Sequence, residues 1–156
     1  MIRIAVPGFG ALAIEHVVLD YNGTLAVDGT LLPGVAERIG RLARDVAVHV
    51  VTADTFGSAR AELAALPCEV VVLAPAGQAE AKRAFVERLG AARCACVGNG
   101  RNDRAMLAAA ALGIAVLQAE GASGETLASA DVVAPDIRAA LDLLLVPQRL
   151  VATLRD

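Results

Sequence analysis

The sequence predicts an α/β domain in which helices cover both faces of a mostly parallel sheet. Short apolar runs rich in valine alternate with amphipathic stretches along the whole chain. Most of the apolar runs end on a polar residue or on a turn that contains glycine. Strands that alternate with helices in this way are typical of βαβ units, whose right-handed crossovers place helices on both sides of the sheet.

The elements follow from apolar periodicity and from turn residues. The predicted strands are 2–6, 13–19, 46–51, 69–73, 93–97, 113–117 and 132–134. The predicted helices are 35–42, 58–66, 80–89, 104–111, 123–130 and 136–145, with a further turn or two within 148–154. The Asp28-Gly29 pair between two short apolar stretches predicts a small β-hairpin, which would form a flap beside the end of the second strand. A turn is predicted at 53–55.

Length and composition indicate one domain over residues 1–156 and exclude several functions. Only 3% of the 156 residues are aromatic and the net charge is −3, so a nucleic-acid surface is not expected. The longest apolar run, 105–117, is too short for a membrane span, which needs about 20 residues. The first residues show no cationic and apolar leader, so a cytoplasmic protein without membrane contact is expected.

Polar residues stand where several predicted strands end or the next helix opens. In chain order they are Asp20, Thr52 and Lys82, followed by Asn99, Asn102 and Asp103. The carboxyl ends of parallel strands meet at one edge of the sheet, where ligands bind in open α/β folds. A carboxylate can attack phosphorus, and a hydroxyl and an ammonium group can hold phosphoryl oxygens. Carboxylate, amide and backbone oxygens suit Mg²⁺, so the pattern predicts phosphate chemistry with a divalent cation.

Four motifs in this order resemble those of the haloacid dehalogenase-like hydrolases. They are Asp20-Tyr21-Asn22-Gly23-Thr24, Thr52, Lys82 and Gly98-Asn99-Gly100-Arg101-Asn102-Asp103, and the resemblance covers nearly the whole chain. The first and fourth motifs are most similar to the phosphorylation domain of P-type ATPases, in a soluble form without membrane helices. The resemblance implies a three-layer, Rossmann-like core.

The same resemblance implies roles for the matched residues. Asp20 would be the nucleophile that forms an aspartyl phosphate, and Thr52 and Lys82 would hold the phosphoryl group. Lys82 would also orient Asp20. The implied phosphate-binding set is Asp20, Gly23, Thr52, Ala53, Lys82 and Asn102.

The implied cofactor is Mg²⁺, and the metal site departs from the family pattern at one position. Asp20, the backbone carbonyl of Asn22, Asn99 and Asp103 would hold the ion. The fourth motif usually begins with Gly-Asp, whereas here Asn99 offers only a neutral oxygen. One negative charge is therefore lost, and either metal affinity falls or Asp103 moves inward to compensate.

A second departure concerns acid–base catalysis. Phosphatases of this family usually carry a second aspartate two residues after the nucleophile, and here that residue is Asn22. An amide cannot protonate a leaving alkoxide or activate water, so a factor of about 10²–10⁴ in rate would be missing. P-type ATPases also lack an acid there, which helps their aspartyl phosphate to persist.

Two function classes follow, and the sequence leaves both open. One is Mg²⁺-dependent phosphoryl transfer or slow hydrolysis of a phosphomonoester, with a small phosphorylated substrate or a phosphoprotein. The other is a regulatory module that binds phosphate or Mg²⁺ without turnover. An ion-pump subunit is a weaker third option. The spacing between motifs leaves no room for a cap domain, so the site would be open and compatible with closure by a neighbouring subunit of a homo-oligomer.

The remaining polar and sulfur-containing residues have structural interpretations. His16 and His49 stand alone within apolar strands and are expected to be satisfied by backbone groups rather than by a metal. Asp54 is expected to serve in a turn or as a helix cap. The three cysteines, an odd number, are expected to be buried thiols: Cys68, Cys94 and Cys96.

Overall fold

A computed structural model describes residues 1–53 and 57–156 and shows ten strands, seven α-helices and two short 3-10 helices among them. The strands are β1 (Ile2–Val6), β2 (Gly10–Ile14), β3 (His16–Asp20), β4 (Ala26–Val27), β5 (Thr30–Leu31), β6 (Ala47–Thr52), β7 (Glu69–Val72), β8 (Cys94–Gly98), β9 (Leu112–Val116) and β10 (Val132–Ala134). The helices are α1 (Val35–Leu42), α2 (Ser58–Leu63), α3 (Gln78–Leu89), α4 (Arg104–Ala109), α5 (Gly124–Ser129), α6 (Ile137–Leu145) and α7 (Pro147–Leu154).

The central sheet has six parallel strands in the order β10-β9-β8-β3-β6-β7. The chain leaves β3 toward β6 and β7 on one side and returns to β8, β9 and β10 on the other. The sheet order therefore reverses between β3 and β8, and this is the switch point at which α/β sheets open a crevice for ligands. The predicted fold class is confirmed.

Each central strand contributes side chains to both faces of the sheet, because successive residues of a strand point to opposite sides. In β3, Val17 and Leu19 join the apolar cluster that includes α1, α2, α6 and α7, whereas Val18 joins the cluster under α3 and α4. All three side chains are fully buried. The sheet thus lies between two helical layers, as the sequence predicts.

The predicted strand 13–19 is wrong as a single element. The chain forms two strands there, and they belong to different sheets. β2 pairs antiparallel with β1, while β3 lies at the centre of the parallel sheet. Glu15 separates the two strands, since its N–H donates to the Arg93 carbonyl and its carbonyl accepts from Ala47. The run 13–19 is interrupted by Glu15 and His16, and these two polar residues mark the place where the chain changes partner.

The predicted flap is confirmed as the hairpin of β4 and β5, residues 26–31. Asp28 and Gly29 both have positive φ values, 51° and 76°, which the two-residue turn requires. The Tyr21 hydroxyl donates to the Gly29 carbonyl at 3.2 Å and ties the flap to the end of β3. Within the described residues, the flap and α1 fill the connection from β3 to β6, and no cap domain is inserted there.

The other predicted elements are present, with ends that differ by up to three residues. Of the turn predicted at 53–55, Asp54 and Thr55 lie outside the described residues, and so does the role expected of Asp54. Cys94 and Cys96 are buried free thiols on the same face of β8, while Cys68 is half-buried. No helix in the described part of the chain has both the length and the apolar character that a membrane span requires.

Candidate active site

Asp20 is the last residue of β3 and lies at the point where the sheet order reverses. Its neighbours in sequence are Leu19 and Tyr21, both buried, so the strand is anchored up to the carboxylate. The Asp20 side chain itself is only 9% exposed. The fold therefore presents a nearly buried carboxylate at the crevice predicted from the sequence.

Lys82 joins this carboxylate to a second one. Its Nζ donates to Asp20 Oδ1 at 2.6 Å and to Asp103 Oδ1 at 2.6 Å. Lys82 is 1% exposed and projects from α3, the helix that covers this face of the sheet. A lysine as buried as this is normally found only when it is paired. The structure thus brings Asp20, Lys82 and Asp103 into one buried charged cluster, although the three are far apart in sequence.

Asp103 also holds the loop after β8. Its Oδ2 accepts from the backbone N–H groups of Asn99 at 2.9 Å and of Gly100 at 2.8 Å. Gly98 is required beneath it, because a Cβ atom at 98 would lie 2.5 Å from Asp103 Cγ. Both carboxylate oxygens of Asp103 therefore bond within the protein, and ligation of Mg²⁺ by Asp103 stays a prediction.

The environment alters the acidity of Asp20. Burial and the nearby Asp103 charge raise the pKa of Asp20 to about 7, although Lys82 acts in the opposite direction. The pKa of Lys82 is raised because the attraction of Asp20 and Asp103 outweighs its burial. An additional cation beside Asp20 would favour the ionised carboxylate at neutral pH.

Oxygen atoms converge next to Asp20 on the side of Thr24. The Thr24 hydroxyl lies 3.2 Å from Asp20 Oδ2 and 3.3 Å from Asn99 Oδ1. A hydroxyl carries one proton, so it can satisfy only one of these two acceptors at a time. A hard cation prefers such a group of carboxylate, amide and hydroxyl oxygens. The residues present therefore fit a divalent metal ion, with Asp20 and Asn99 as donors.

The remaining predicted residues border this cluster. Thr52, 2% exposed, ends β6 one residue beyond Val51, which pairs with Asp20, and Ala53 follows it. Gly23 has a φ of 80° and lies against the Asn99 side chain. Asn22 is exposed at the mouth of the site.

Asn102 makes a side-chain hydrogen bond between the fourth-motif loop and α3. Its Nδ2 donates to Gln78 Oε1 at 2.7 Å, which ties the fourth-motif loop to the first residue of α3. A role for Asn102 in binding phosphate stays a prediction.

The loop after β9 carries two residues that the sequence reasoning did not single out. Gln118 donates from Nε2 to the carbonyls of Gly23 and Thr24, each at 2.8 Å, and accepts from the Ile137 N–H at 3.0 Å. Glu120 extends toward Gly23 from the same loop. Both follow an apolar strand, as Asp20 and Asn99 do, so the same strand-end rule could have found them.

Sequence comparisons give little beyond a short match. No family model matches the chain. An uncharacterized protein of Methanocaldococcus jannaschii is 53% identical over 60 residues, which are 38% of this chain and 64% of that protein. The match thus spans less than two thirds of that relative, whose name assigns no activity.

Solved structures match over most of the chain. The cobalt-bound deoxy-D-mannose-octulosonate 8-phosphate phosphatase of Haemophilus influenzae has a TM-score of 0.71 and 19% identity, over 87% of this chain and 90% of that one. A Legionella pneumophila protein described as a hydrolase of the haloacid dehalogenase superfamily has a TM-score of 0.69 and 18% identity, over 90% and 87%. This chain has the haloacid dehalogenase-like fold.

A third match was solved with ligands. The 3-deoxy-D-manno-octulosonate 8-phosphate phosphatase of Moraxella catarrhalis, in complex with magnesium, phosphate and its sugar acid, has a TM-score of 0.64 and 17% identity, over 91% of this chain and 94% of that one. At this level of identity the likeness concerns the fold. The activity of the present chain therefore has to be argued from its own residues.

Proposed function

We propose that the chain catalyses Mg²⁺-dependent phosphoryl transfer through an aspartyl phosphate on Asp20, most simply as a slow phosphomonoesterase. One observation carries the proposal: Lys82 Nζ lies 2.6 Å from both Asp20 and Asp103 in a buried cluster at the switch point. Purely structural ion pairs are rarely buried to this degree, since desolvation opposes them. Phosphatases of the same fold support the reaction class.

Asp20 acts as the nucleophile in the first step. A carboxylate oxygen attacks phosphorus and the bond from phosphorus to the ester oxygen breaks, so the leaving group departs as an alkoxide or phenoxide and takes its proton from water. Lys82, bonded to Oδ1, fixes the rotamer of the carboxylate and stabilises the negative charge of the incoming phosphoryl oxygens. Thr52 hydroxyl and backbone groups near Gly23 and Ala53 complete the phosphate-binding residues.

The metal-binding residues are Asp20, the Asn22 carbonyl and Asn99, with Asp103 holding the loop. Bound Mg²⁺ supplies positive charge that stabilises the negative charge of the transition state. Thr24 keeps Asp20 Oδ2 and Asn99 Oδ1 together by lying within 3.3 Å of both. Lys82 Nζ holds Oδ1 of Asp20, and Oδ2, on the side of Thr24, would be the oxygen available to the metal.

The second step is the slow one. Water must attack the phosphoryl group of phospho-Asp20, which releases inorganic phosphate and regenerates the carboxylate. Asn22 cannot act as the base for this water, nor as the acid for a poor leaving group in the first step. We therefore expect the aspartyl phosphate to accumulate, and aryl phosphates to react faster than alkyl phosphates.

The open site bears on the substrate and on assembly. Among the described residues, the connection from β3 to β6 contains only the flap, residues 26–31, and α1, so no inserted domain there restricts the size of the substrate. A small phosphorylated molecule, such as the sugar phosphates named for the phosphatases of this fold, or a phosphoprotein fits this description. Closure by a second copy of the chain remains part of the proposal.

A binding module without turnover is the second candidate, and Asn22 and Asn99 favour it. Both positions carry neutral amides where phosphatases with these motifs have carboxylates. Such a site would hold phosphate or Mg²⁺ on the same scaffold. The two candidates differ in one measurable respect, since only the enzyme forms a covalent bond between phosphorus and Asp20.

Hydrolysis of para-nitrophenyl phosphate, with and without Mg²⁺, tests the proposal. Its leaving group needs little protonation, so the missing acid does not hide activity. We expect turnover that requires both Mg²⁺ and Asp20, with Asp20→Asn at background. Asp28→Asn, in the exposed turn of the flap, is the matched control and should retain activity. Absence of turnover in a folded protein that binds Mg²⁺ would favour the binding module.

A further inference from the structure

Gln118 has a backbone conformation that residues with a side chain rarely adopt. It lies two residues after β9, and its φ of 50° falls in the left-handed region. This conformation is unfavourable for a residue with a Cβ atom, so it persists only where the surrounding structure holds it. Glycine would adopt the same backbone without that penalty. The contacts of the Gln118 side chain must therefore offset the strain of its backbone.

The amide group of Gln118 bonds with all of its polar atoms. A glutamine amide has two hydrogens to donate and one oxygen that accepts. Nε2 donates to the carbonyls of Gly23 and Thr24, each at 2.8 Å. Oε1 accepts at 3.0 Å from the N–H of Ile137, the first residue of α6. The side chain thus joins the first motif to a helix that is far away in the chain.

The two carbonyls belong to the turn that places Thr24 beside the nucleophile. Three N–H groups of this turn, from residues 24–26, donate to the Tyr21 carbonyl at 2.9–3.2 Å. The amide groups therefore bond within the turn, whereas the carbonyls of residues 23 and 24 bond to Gln118. The fully buried Thr24 hydroxyl lies 3.2 Å from Asp20 Oδ2. The position of this hydroxyl thus depends on a backbone that Gln118 holds.

We infer that Gln118 is a positioning residue, which holds the first-motif turn so that the Thr24 hydroxyl keeps Asp20 in place for its attack on phosphorus. The inference rests on the proposed function and adds to it a residue that acts through Thr24. Lys82 already holds Oδ1 of the Asp20 carboxylate. Both carboxylate oxygens are therefore held only while the turn is held. A misplacement of a reacting group by about 1 Å can lower the rate by about 10²-fold.

The Gln118→Glu variant tests the inference with little change in size. Glutamate keeps an oxygen for the Ile137 N–H, but at neutral pH it has no hydrogen for the two carbonyls. The burst of para-nitrophenolate released from para-nitrophenyl phosphate follows the attack by Asp20. We expect the burst to be about 10²-fold slower at saturating substrate. The substrate concentration that gives half of the maximal burst rate should change little, because the variant alters the nucleophile and not the phosphate-binding residues.

Asp136→Ala is the matched control for a structural loss at the same end of α6. Asp136 Oδ1 accepts from the Ala139 N–H at 3.0 Å and caps this helix, directly before Ile137. Loss of the cap should lower the midpoint of urea unfolding and leave the burst rate unchanged. An unchanged burst rate in Gln118→Glu would overturn the inference, and so would an equal slowing in both variants.

A spectroscopic signal distinguishes this inference from the proposed function. Tyr21 is the only tyrosine of a chain without tryptophan, and its carbonyl belongs to the turn. The tyrosine signal in near-ultraviolet circular dichroism should change in Gln118→Glu and stay the same in Asp136→Ala. If the unmodified chain shows no burst, the proposed function is rejected, and a change confined to Gln118→Glu still assigns the position of the turn to Gln118. An unchanged tyrosine signal in Gln118→Glu would overturn the inference in either case.

Discussion

The two ends of β3 carry polar networks of opposite character. At the carboxyl end, Lys82 joins Asp20 to Asp103, and all three side chains are less than 10% exposed. At the amino end, His16 Nδ1 lies 3.1 Å from His49 Nε2, and His49 Nδ1 lies 2.8 Å from a largely exposed Glu69 carboxylate. The charged groups of the first network are buried, whereas the Glu69 carboxylate of the second network is largely exposed to solvent.

The difference indicates which network serves chemistry. Burying three charges costs free energy that apolar residues of similar size would not. In the histidine chain the two rings contact each other, and the Glu69 carboxylate at its end stays largely exposed to water. It also corrects the expectation of backbone partners for His16 and His49, because side chains from neighbouring strands satisfy them.

The largest expected effect comes from restoring an acid at the carboxyl end. Asn22→Asp should raise the hydrolysis of an alkyl phosphate by about 10²–10⁴-fold, because the new carboxylic acid protonates the leaving alkoxide and then activates water. The gain should be smaller for an aryl phosphate. Asn22→Ser, which adds no acid, is the control. Rates of both esters measured side by side decide the matter, and an absence of any gain would mean that the site is organised for binding.

Removing the shared cation tests whether the buried charges depend on one another. Lys82→Ala leaves two buried carboxylates uncompensated and should lower the free energy of unfolding by about 3–5 kcal/mol at neutral pH. Arg83→Ala breaks an exposed pair with Glu87 and should cost less than about 1 kcal/mol. Urea denaturation of both variants measures the difference. Similar losses would show that the Lys82 cluster is not a coupled unit.

Gln118→Ala tests how firmly the loop after β9 holds the first motif. The substitution leaves the Gly23 and Thr24 carbonyls and the Ile137 N–H without their partner, which should cost about 1–3 kcal/mol in unfolding free energy. Gln148→Ala, on the exposed side of α7, should be close to neutral. Thermal unfolding compares the two. A neutral Gln118→Ala would argue that the loop is held by other contacts.

The smallest effect is expected at the amino end. Burial lowers the pKa of His16, and the nearby His49 and Arg93 lower it further, while Glu15 opposes them. The unfolded chain then binds a proton more readily than the folded protein does, so this contribution to stability is present above the ordinary pKa of about 6.5 and is lost as the pH falls through the lowered value. Unfolding midpoints at pH 7.5 and 5 should differ less in His16→Gln. An unchanged pH dependence would contradict this assignment.

Apolar periodicity and turn residues predicted most of the fold, and strand-end chemistry predicted that polar side chains meet at one edge of the sheet. Asp20 and Thr52 end strands β3 and β6, and Asn99 follows β8, so one rule places these three residues at the same edge. Lys82 is the fifth residue of the helix α3. That rule carries no information on which oxygen of Asp103 is occupied, because the Asn99 and Gly100 amides reach it only after the loop has folded.

The features that the sequence did not reveal depend on contacts between residues that are far apart in the chain. Glu15 separates β2 from β3, and its backbone groups bond instead to Arg93 and Ala47. Glu120 approaches Gly23, which is nearly a hundred residues away in the chain. A side chain larger than that of glycine at position 23 would collide with Glu120. Contacts of this kind depend on the path of the whole chain, so a local pattern can mark the position of a residue but not the partner that it contacts.

Trapping of the covalent intermediate tests the central claim most directly. The protein is mixed with an aryl phosphate and Mg²⁺, quenched in acid within milliseconds to seconds, and digested for peptide mass spectrometry. We expect the peptide that contains Asp20 to gain the mass of one phosphoryl group, to a larger extent in the unmodified chain than in Asn22→Asp. Turnover without any phosphorylated peptide, or phosphorylation on a peptide without Asp20, would contradict the account.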